Sequence, residues 1–216
     1  MGKQPISFDI ELDIYQKEAK RLIYNTPIVA IVGKAGSGKT SLAINTALDM
    51  LFKKNIEKIY ITRPTVEAGE TSLGYLPGEL LEKYMPYLKP IEQALEANYG
   101  RNKGGLDKTS KVKKLFDDKK IELLSIQHAR GINIENAILI VDEAQNVSIK
   151  EAKLLLTRIM PNSKVVFTGD LNQSDIKYVS GLKRLIEISN GTDQIAAIEL
   201  QSNYRSPIVE YIDQNL

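Results

Sequence analysis

The chain of 216 residues is 43% hydrophobic and 26% charged with a net charge of +2, which suits one α/β domain with a substantial core and is short for two. With no cysteine and His128 as the lone histidine, disulfides and thiolate metal sites are excluded and a histidine-based metal site is disfavoured, so any metal should have oxygen ligands. No apolar run approaches the ~20 residues of a membrane span, and Met1-Gly2-Lys3-Gln4-Pro5 lacks the apolar core of a signal peptide, so a cytoplasmic protein without a membrane partner is expected.

The first expected strand, Ile28-Val29-Ala30-Ile31-Val32, runs into Gly33-Lys34-Ala35-Gly36-Ser37-Gly38-Lys39-Thr40, and a helical pattern of Leu42, Ile44, Ala47, Leu48 and Leu51 follows. The octet fits the phosphate-loop pattern G-x-x-x-x-G-K-[ST]. Glycines let the backbone curl so that several N–H groups face one anion, and the following helix, entered through Ser41, adds its positive N-terminal end. Lys39 can then reach the β- and γ-phosphates of a nucleoside triphosphate, and the Thr40 hydroxyl can hold Mg²⁺. An ordinary Gly-rich turn is the plain alternative. Strand, loop and helix in register favour nucleotide binding.

A second strand is expected from Lys58 to Thr62. From Glu79 to Asn98 the pattern is helical but interrupted at Pro86 and Pro90, which predicts two short helices. Gly100 to Lys114, with Gly104-Gly105 and many lysines, reads as a mobile loop. Residues 101–120 carry eight basic and three acidic side chains, a local charge of +5 that leaves −3 for the remainder. Such a segment can track a nucleic-acid backbone, although charge runs are more often solvated loops. Tyr99 and Phe116 flank it without the interleaved aromatics of a strong single-strand binder.

Strands are next expected from Glu122 to Ile126 and from Ala137 to Val141. The latter ends in Asp142-Glu143-Ala144-Gln145, two adjacent acids of the kind nucleotide hydrolysis uses: Asp142 for Mg²⁺ and Glu143 to polarise the attacking water. A carboxylate at 143 favours an ATPase over a small-molecule kinase, and no N-K-x-D guanine-reading motif occurs. Ser148 and Glu151 form an S-x-x-E capping box, after which Ala152, Leu155, Leu156 and Ile159 build one apolar helix face before Pro161. The strand from Lys164 to Thr168 leads into Gly169-Asp170-Leu171-Asn172-Gln173. The Gln173 amide could sense a γ-phosphate there; a polar turn is the simpler reading of that stretch alone. A last strand runs from Ile195 to Leu200. The alternation predicts a single domain with a mostly parallel sheet covered by helices on both faces.

These segments together resemble the ATPase core of superfamily-one helicases, in which G-D-x-x-Q follows D-E-x-Q. Tyr15-Gln16-Lys17-Glu18-Ala19 is similar to the motif whose glutamine reads adenine in those proteins. Leu200-Gln201-Ser202-Asn203-Tyr204-Arg205-Ser206 resembles the N-Y-R-S motif, whose tyrosine stacks on adenine and whose arginine meets the γ-phosphate. Ile61-Thr62-Arg63-Pro64-Thr65-Val66-Glu67-Ala68-Gly69-Glu70 and Leu73-Gly74-Tyr75-Leu76-Pro77-Gly78 are similar to the signature of PhoH-like proteins. So are His128-Ala129-Arg130-Gly131, Asp142-Glu143-Ala144-Gln145-Asn146 and Leu156-Thr157-Arg158-Ile159, and the resemblance runs from about Gln16 to Arg205.

The resemblance implies a three-layer, RecA-like P-loop domain over 1–216, with its core at about 16–205 and a basic mobile loop at about 100–120. It implies a cytoplasmic, Mg²⁺-dependent ATPase related to helicases, acting on RNA or single-stranded DNA. The backbone from Lys34 to Thr40 would cradle the phosphates, Lys39 would meet the β/γ oxygens, Thr40 and Asp142 would hold Mg²⁺, and Glu143 would activate water. Gln173 would report γ-phosphate loss, and Gln16 and Tyr204 would select adenine. Arg205 would complete the site in cis or act as a finger on a neighbouring subunit. Arg63, Arg130 and the basic segment would contact the polymer. The additional N-terminal region of many bacterial members and a PIN-type nuclease are not expected, nor is a second motor domain, since the chain ends at Leu216, eleven residues after Arg205. A lone domain of this type leaves its ATP cleft half built, which makes a homo-oligomeric ring, by analogy a hexamer, the expected assembly. The competing expectation is a regulatory module in which ATP controls oligomerisation without motor activity.

Overall fold

The computed structural model describes residues 11–64, 114–126, 128–176, 178–202 and 204. The helices expected within 79–98, the loop at 100–113, the signature stretch from Thr65 to Gly78 and Arg205 lie outside them.

Among the described residues six strands form one parallel sheet: β1 (Ile28–Gly33), β2 (Lys58–Thr62), β3 (Ile121–Leu123), β4 (Ala137–Val141), β5 (Lys164–Gly169) and β6 (Ile195–Leu200), in the order β3-β2-β4-β5-β1-β6. The helices among the described residues are α1 (Ile14–Asn25), α2 (Lys39–Phe52), α3 (Ile149–Leu156) and α4 (Gly181–Ser189), with 3₁₀ turns at His128–Gly131 and Ala144–Asn146. The expected α/β class and mostly parallel sheet are what the structure shows.

Alternation along the strands builds two cores. Val29, Ile31, Ile138, Ile140 and Val166 face a cluster completed by α1 and α2. Ala30, Leu139, Val141, Val165 and Phe167 face the other side, packed by α3 and α4. Every residue of β4 is fully buried, which is why that strand reads as an unbroken apolar run. The two helices of the first layer are also joined by a polar brace. Asp49 of α2 meets Lys20 at 3.3 Å, Lys53 at 3.0 Å and the Tyr24 hydroxyl at 2.8 Å. Burial alone would raise the Asp49 pKa, but the hydrogen bonds from Lys53 and Tyr24 and the charges of Lys20 and Lys53 hold it below the ordinary aspartate value.

Three local expectations differ from the structure. The strand placed at 122–126 is Ile121–Leu123; Leu124 and Ile126 beyond it are still buried, in the second core, so apolar character outlasts the pairing. The helix capped by Ser148 has the expected capping box but stops at Leu156. The next residues pair sideways instead: the Ile134 N–H donates to the Arg158 carbonyl and the Met160 N–H to the Ile134 carbonyl, each at 2.8 Å, so Ile159 belongs to a bridge and not to the helix face. Finally, the end of the stretch expected as a basic mobile loop is structured. Residues 114–117 form a helical turn, Leu115 and Phe116 pack on the first core, and Lys120 donates to the Glu57 carbonyl at 3.3 Å. Phe116 therefore serves packing.

Candidate active site

Strand register assembles the site before any side chain does. In the order β2-β4-β5-β1, Thr62 lies beside Val141, Val141 beside Phe167, and Val32 beside Gly169. The residues at and just past these strand ends are thus set in a row: Arg63, Asp142 and Glu143, Thr168 to Asp170, and the phosphate loop. Ligands in open parallel sheets bind at the carboxyl ends of the strands, which is where this row stands.

The loop needs its glycines. Gly38, the residue before α2, has φ of 83° in the left-handed region, which costs a side-chain-bearing residue about 1–2 kcal/mol. This turn lets α2 start at Lys39 with its first residues on the cleft, where helix N–H groups lack intrahelical partners. The Lys39 ammonium donates to the carbonyls of Gly33 (2.7 Å) and Lys34 (2.9 Å). Across the cleft, the loop is tied to the β5 end. The Ala35 N–H donates to the Asp170 carboxylate at 3.1 Å, and that carboxylate also accepts from the Asn172 N–H at 3.0 Å.

Asp142 is the focus of the hydroxyl groups. Thr40 and Thr168 both donate to its Oδ1 at 2.7 Å. Each hydroxyl spends its proton on the carboxylate, which leaves the Thr40 oxygen lone pairs available to a cation. The donor set is a hydroxyl, a carboxylate and backbone N–H groups for phosphates. It fits Mg²⁺, which binds through one or two protein oxygens together with substrate phosphates and water. Among the described residues no cluster of three or more His, Cys, Asp or Glu could hold a metal by itself.

Glu143 sits at φ 51°, ψ 40°, a left-handed conformation uncommon outside glycine. Its carboxylate is held from two sides. The Arg63 guanidinium lies 3.3 Å from Oε1 and 3.9 Å from Asp142 Oδ2. The Gln145 side-chain amide donates to Glu143 Oε2 at 2.7 Å and also approaches the Gln173 carbonyl at 3.4 Å. The Gln145 oxygen accepts from the Asp170 N–H at 3.1 Å, and the Ser174 hydroxyl donates to the Gln145 backbone carbonyl at 3.2 Å. With 1% of its surface exposed, Gln145 links the acidic strand end to the β5 loop.

A cleft of about 270 Å³ brings together Ala35, Gly36, Gly38, Lys39, Thr40, Ser41, Asp142, Glu143, Asp170 and Gln173. A second, of about 490 Å³, is lined by Arg63, Pro64, Glu143, Gln145, Asn146, Gln173 and Asp175, so Glu143 and Gln173 border both. Gln16 and Tyr204 stand on the other flank of the loop. Gln16 is buried in the capping box of α1, accepting from the Asp13 N–H at 3.3 Å, while its amide points to the Ser37 carbonyl at 3.4 Å. Tyr204 donates its N–H to the Gly36 carbonyl at 3.1 Å and its hydroxyl to Asp13 at 2.8 Å, with 60% of its surface exposed. That bond to Asp13 raises the Tyr204 pKa. At Asp13 burial acts upward, but hydrogen bonds from the Gln16 N–H and the Ser202 and Tyr204 hydroxyls outweigh it and lower the pKa.

Most of the expected residues therefore converge on one end of the sheet. Arg130 does not line either cleft; it is exposed in the His128–Gly131 turn, where its carbonyl accepts from Arg158 at 3.4 Å. Thr168, Asp170, and the role of Gln145 as a hub were not expected. The place of Gln145 in the Asp142-Glu143-Ala144-Gln145 motif was the available signal for the last.

The model of the PhoH-like protein family matches residues 11–216. A "PhoH-like protein" of Bacillus subtilis is 39% identical over 201 residues, covering 91% of this chain and 60% of its own length. One from Mycobacterium leprae is 40% identical over 189 residues, 87% of this chain and 52% of its own. "Protein PhoH" of Escherichia coli K12 is 35% identical over 172 residues, 79% and 45%. The chain thus spans about half the length of the curated relatives it matches. Among solved structures, the Pif1 helicase from Candida albicans aligns with a TM-score of 0.47 at 15% identity, over 95% of this chain and 43% of that one. No helix among the described residues is long and apolar enough to cross a membrane. With a family model spanning the chain from Glu11 to its last residue, the chain belongs to the PhoH-like protein family.

Proposed function

We propose that the chain is a Mg²⁺-dependent ATPase whose turnover is coupled to RNA or single-stranded DNA. The observation that carries this reading is the convergence of a phosphate loop, the Thr40–Asp142 pair and the Glu143 carboxylate on one cleft of about 270 Å³. Backbone N–H groups from Lys34 to Ser41 bind the phosphates, and Lys39 exchanges the Gly33 and Lys34 carbonyls for the β/γ oxygens. Thr40 and Asp142 hold Mg²⁺, which when bound neutralises charge building on the β- and γ-phosphate oxygens. Glu143 takes the proton of the attacking water as that water adds to the γ-phosphorus and the bond to the β-phosphate bridging oxygen breaks. Gln173 lines the same cleft as Glu143 and the loop, which suits a group that registers γ-phosphate loss. Gln16 and Tyr204, against the loop's other flank, select adenine.

Arg205 completes the site from its own chain or from a neighbour, and the assembly is a homo-oligomeric ring in the cytoplasm. Arg63, Arg130 and the basic segment 101–120 contact the polymer. The deciding experiment is ATP turnover by the purified protein with and without single-stranded RNA or DNA. Strong stimulation is expected. A flat response would reject the coupling and leave an ATP-controlled oligomerisation switch.

A further inference from the structure

Arg63 occupies a position that the hydrolytic roles above leave without a function. It follows β2, beside the acidic end of β4, and its guanidinium meets Glu143 Oε1 at 3.3 Å. The other carboxylate oxygen of Glu143 accepts from Gln145 at 2.7 Å. Both oxygens of the group assigned to the water thus already hold a donor. Each oxygen has a second acceptor site, but the two contacts fix which way the carboxylate faces, and turning it toward a water requires one of them to yield. Gln145 is buried and fixed by Asp170, whereas Arg63 and Glu143 are each 37% exposed. The Arg63 contact is the releasable one.

The second cleft supplies what could release it. Among the described residues lining it, Arg63 alone is cationic. The Asp175 carboxylate there accepts from the Asn146 amide at 2.8 Å, while the Asp175 N–H donates to the Asn146 oxygen at 2.8 Å. Asn146 thus orients Asp175, which keeps its charge. An anion entering the cleft can compete for the Arg63 guanidinium, whose planar fork is well matched to a phosphodiester.

We infer that Arg63 is a positioning residue that restrains Glu143, and that a phosphodiester backbone in the second cleft draws its guanidinium away and releases Glu143 for hydrolysis. This rests on the ATPase reading above and gives its polymer coupling a physical path. Reciprocity then applies: if the polymer loosens Arg63 from Glu143, loosening Glu143 must favour the polymer.

The test is a double-mutant cycle on binding of a fluorescein-labelled oligo(U) or oligo(dT) without nucleotide, read by anisotropy at low salt. Glu143→Gln should tighten binding about two- to fivefold, the range an exposed ion pair supports. Arg63→Gln should weaken it, and Glu143→Gln should have no further effect in the Arg63→Gln background. An equal gain from Glu143→Gln in both backgrounds would mean simple charge repulsion and would overturn the inference, as would no gain in either. Failure of the wild type to bind either oligo(U) or oligo(dT) would overturn it together with the polymer coupling, but not the ATP site. In parallel, Arg63→Gln should raise basal ATP turnover about two- to fivefold and abolish polymer stimulation. Unchanged basal rate and stimulation would overturn the restraint. A circular-dichroism melt verifies the fold. Arg63→Lys, which keeps the charge but not the fork, repeats the cycle and should retain part of the coupling.

Discussion

Gly169 closes β5 at the point where the strand hands over to the Asp170 loop, and alanine there has a calculable consequence. A Cβ on Gly169 would lie 2.5 Å from the Gln145 side-chain oxygen, 2.7 Å from Leu182 Cδ2 and 3.1 Å from the Gln145 backbone nitrogen. Leu182 is fully buried and Gln145 is 1% exposed, so neither side chain has free space to move into. Overpacking of this kind costs about 1–3 kcal/mol, and for a chain of this size each kcal/mol is worth about 2–4 °C, so Tm should fall by about 2–12 °C. Moving Gln145 also removes the 2.7 Å anchor from Glu143, and misplacement of a reacting group by an ångström lowers turnover by about 10- to 100-fold. The matched control is Gly131→Ala, where a Cβ meets nothing within 4 Å; its stability should stay within about 0.5 kcal/mol. The assay is differential scanning calorimetry alongside ATP turnover. Gly169→Ala matching Gly131→Ala in both would refute the packing argument and the role of Gln145 with it.

Two further outcomes follow from the polar contacts. Asp49→Asn should destabilise the fold at neutral pH by about 1–3 kcal/mol, since it weakens a buried acceptor shared by Lys20, Lys53 and Tyr24. Because the folded Asp49 pKa lies below the ordinary aspartate value, that contribution is whole above about pH 4 and is lost as pH falls through the folded value; denaturant titrations of mutant and wild type should therefore converge in acid. Thr168→Val removes one of the two donors to Asp142 Oδ1, and calorimetric titration should show that more Mg²⁺ is needed for half-maximal ATP binding.

The parts of this site that were legible in the sequence are those whose chemistry is local. A phosphate loop needs spaced glycines, a lysine and a hydroxyl, and positions 33–40 contain all of them. Asp142 and Glu143 were legible because an unbroken apolar strand delivers them. The links between the parts were not legible, because register creates them. That Arg63 stands beside Glu143 depends on Thr62 pairing with Val141, and that Thr168 reaches Asp142 depends on Val141 pairing with Phe167. Gln145 lies in a recognisable motif, yet its connection to Asp170 spans 25 residues of sequence. The end of α3 illustrates the same limit. Periodicity carries the helix to Ile159, but pairing with Ile134 takes residues 158–160 away from it.

The central claim, that Glu143 activates the water in a cleft where Lys39 and Thr40 hold the triphosphate, is tested most directly by single-turnover ATP hydrolysis in Glu143→Gln at saturating ATP and Mg²⁺. The substitution keeps the shape of the side chain and removes its capacity to take a proton. ATP binding should persist while the hydrolytic step slows by about 10²- to 10⁴-fold. A hydrolytic rate within about twofold of wild type would contradict the account.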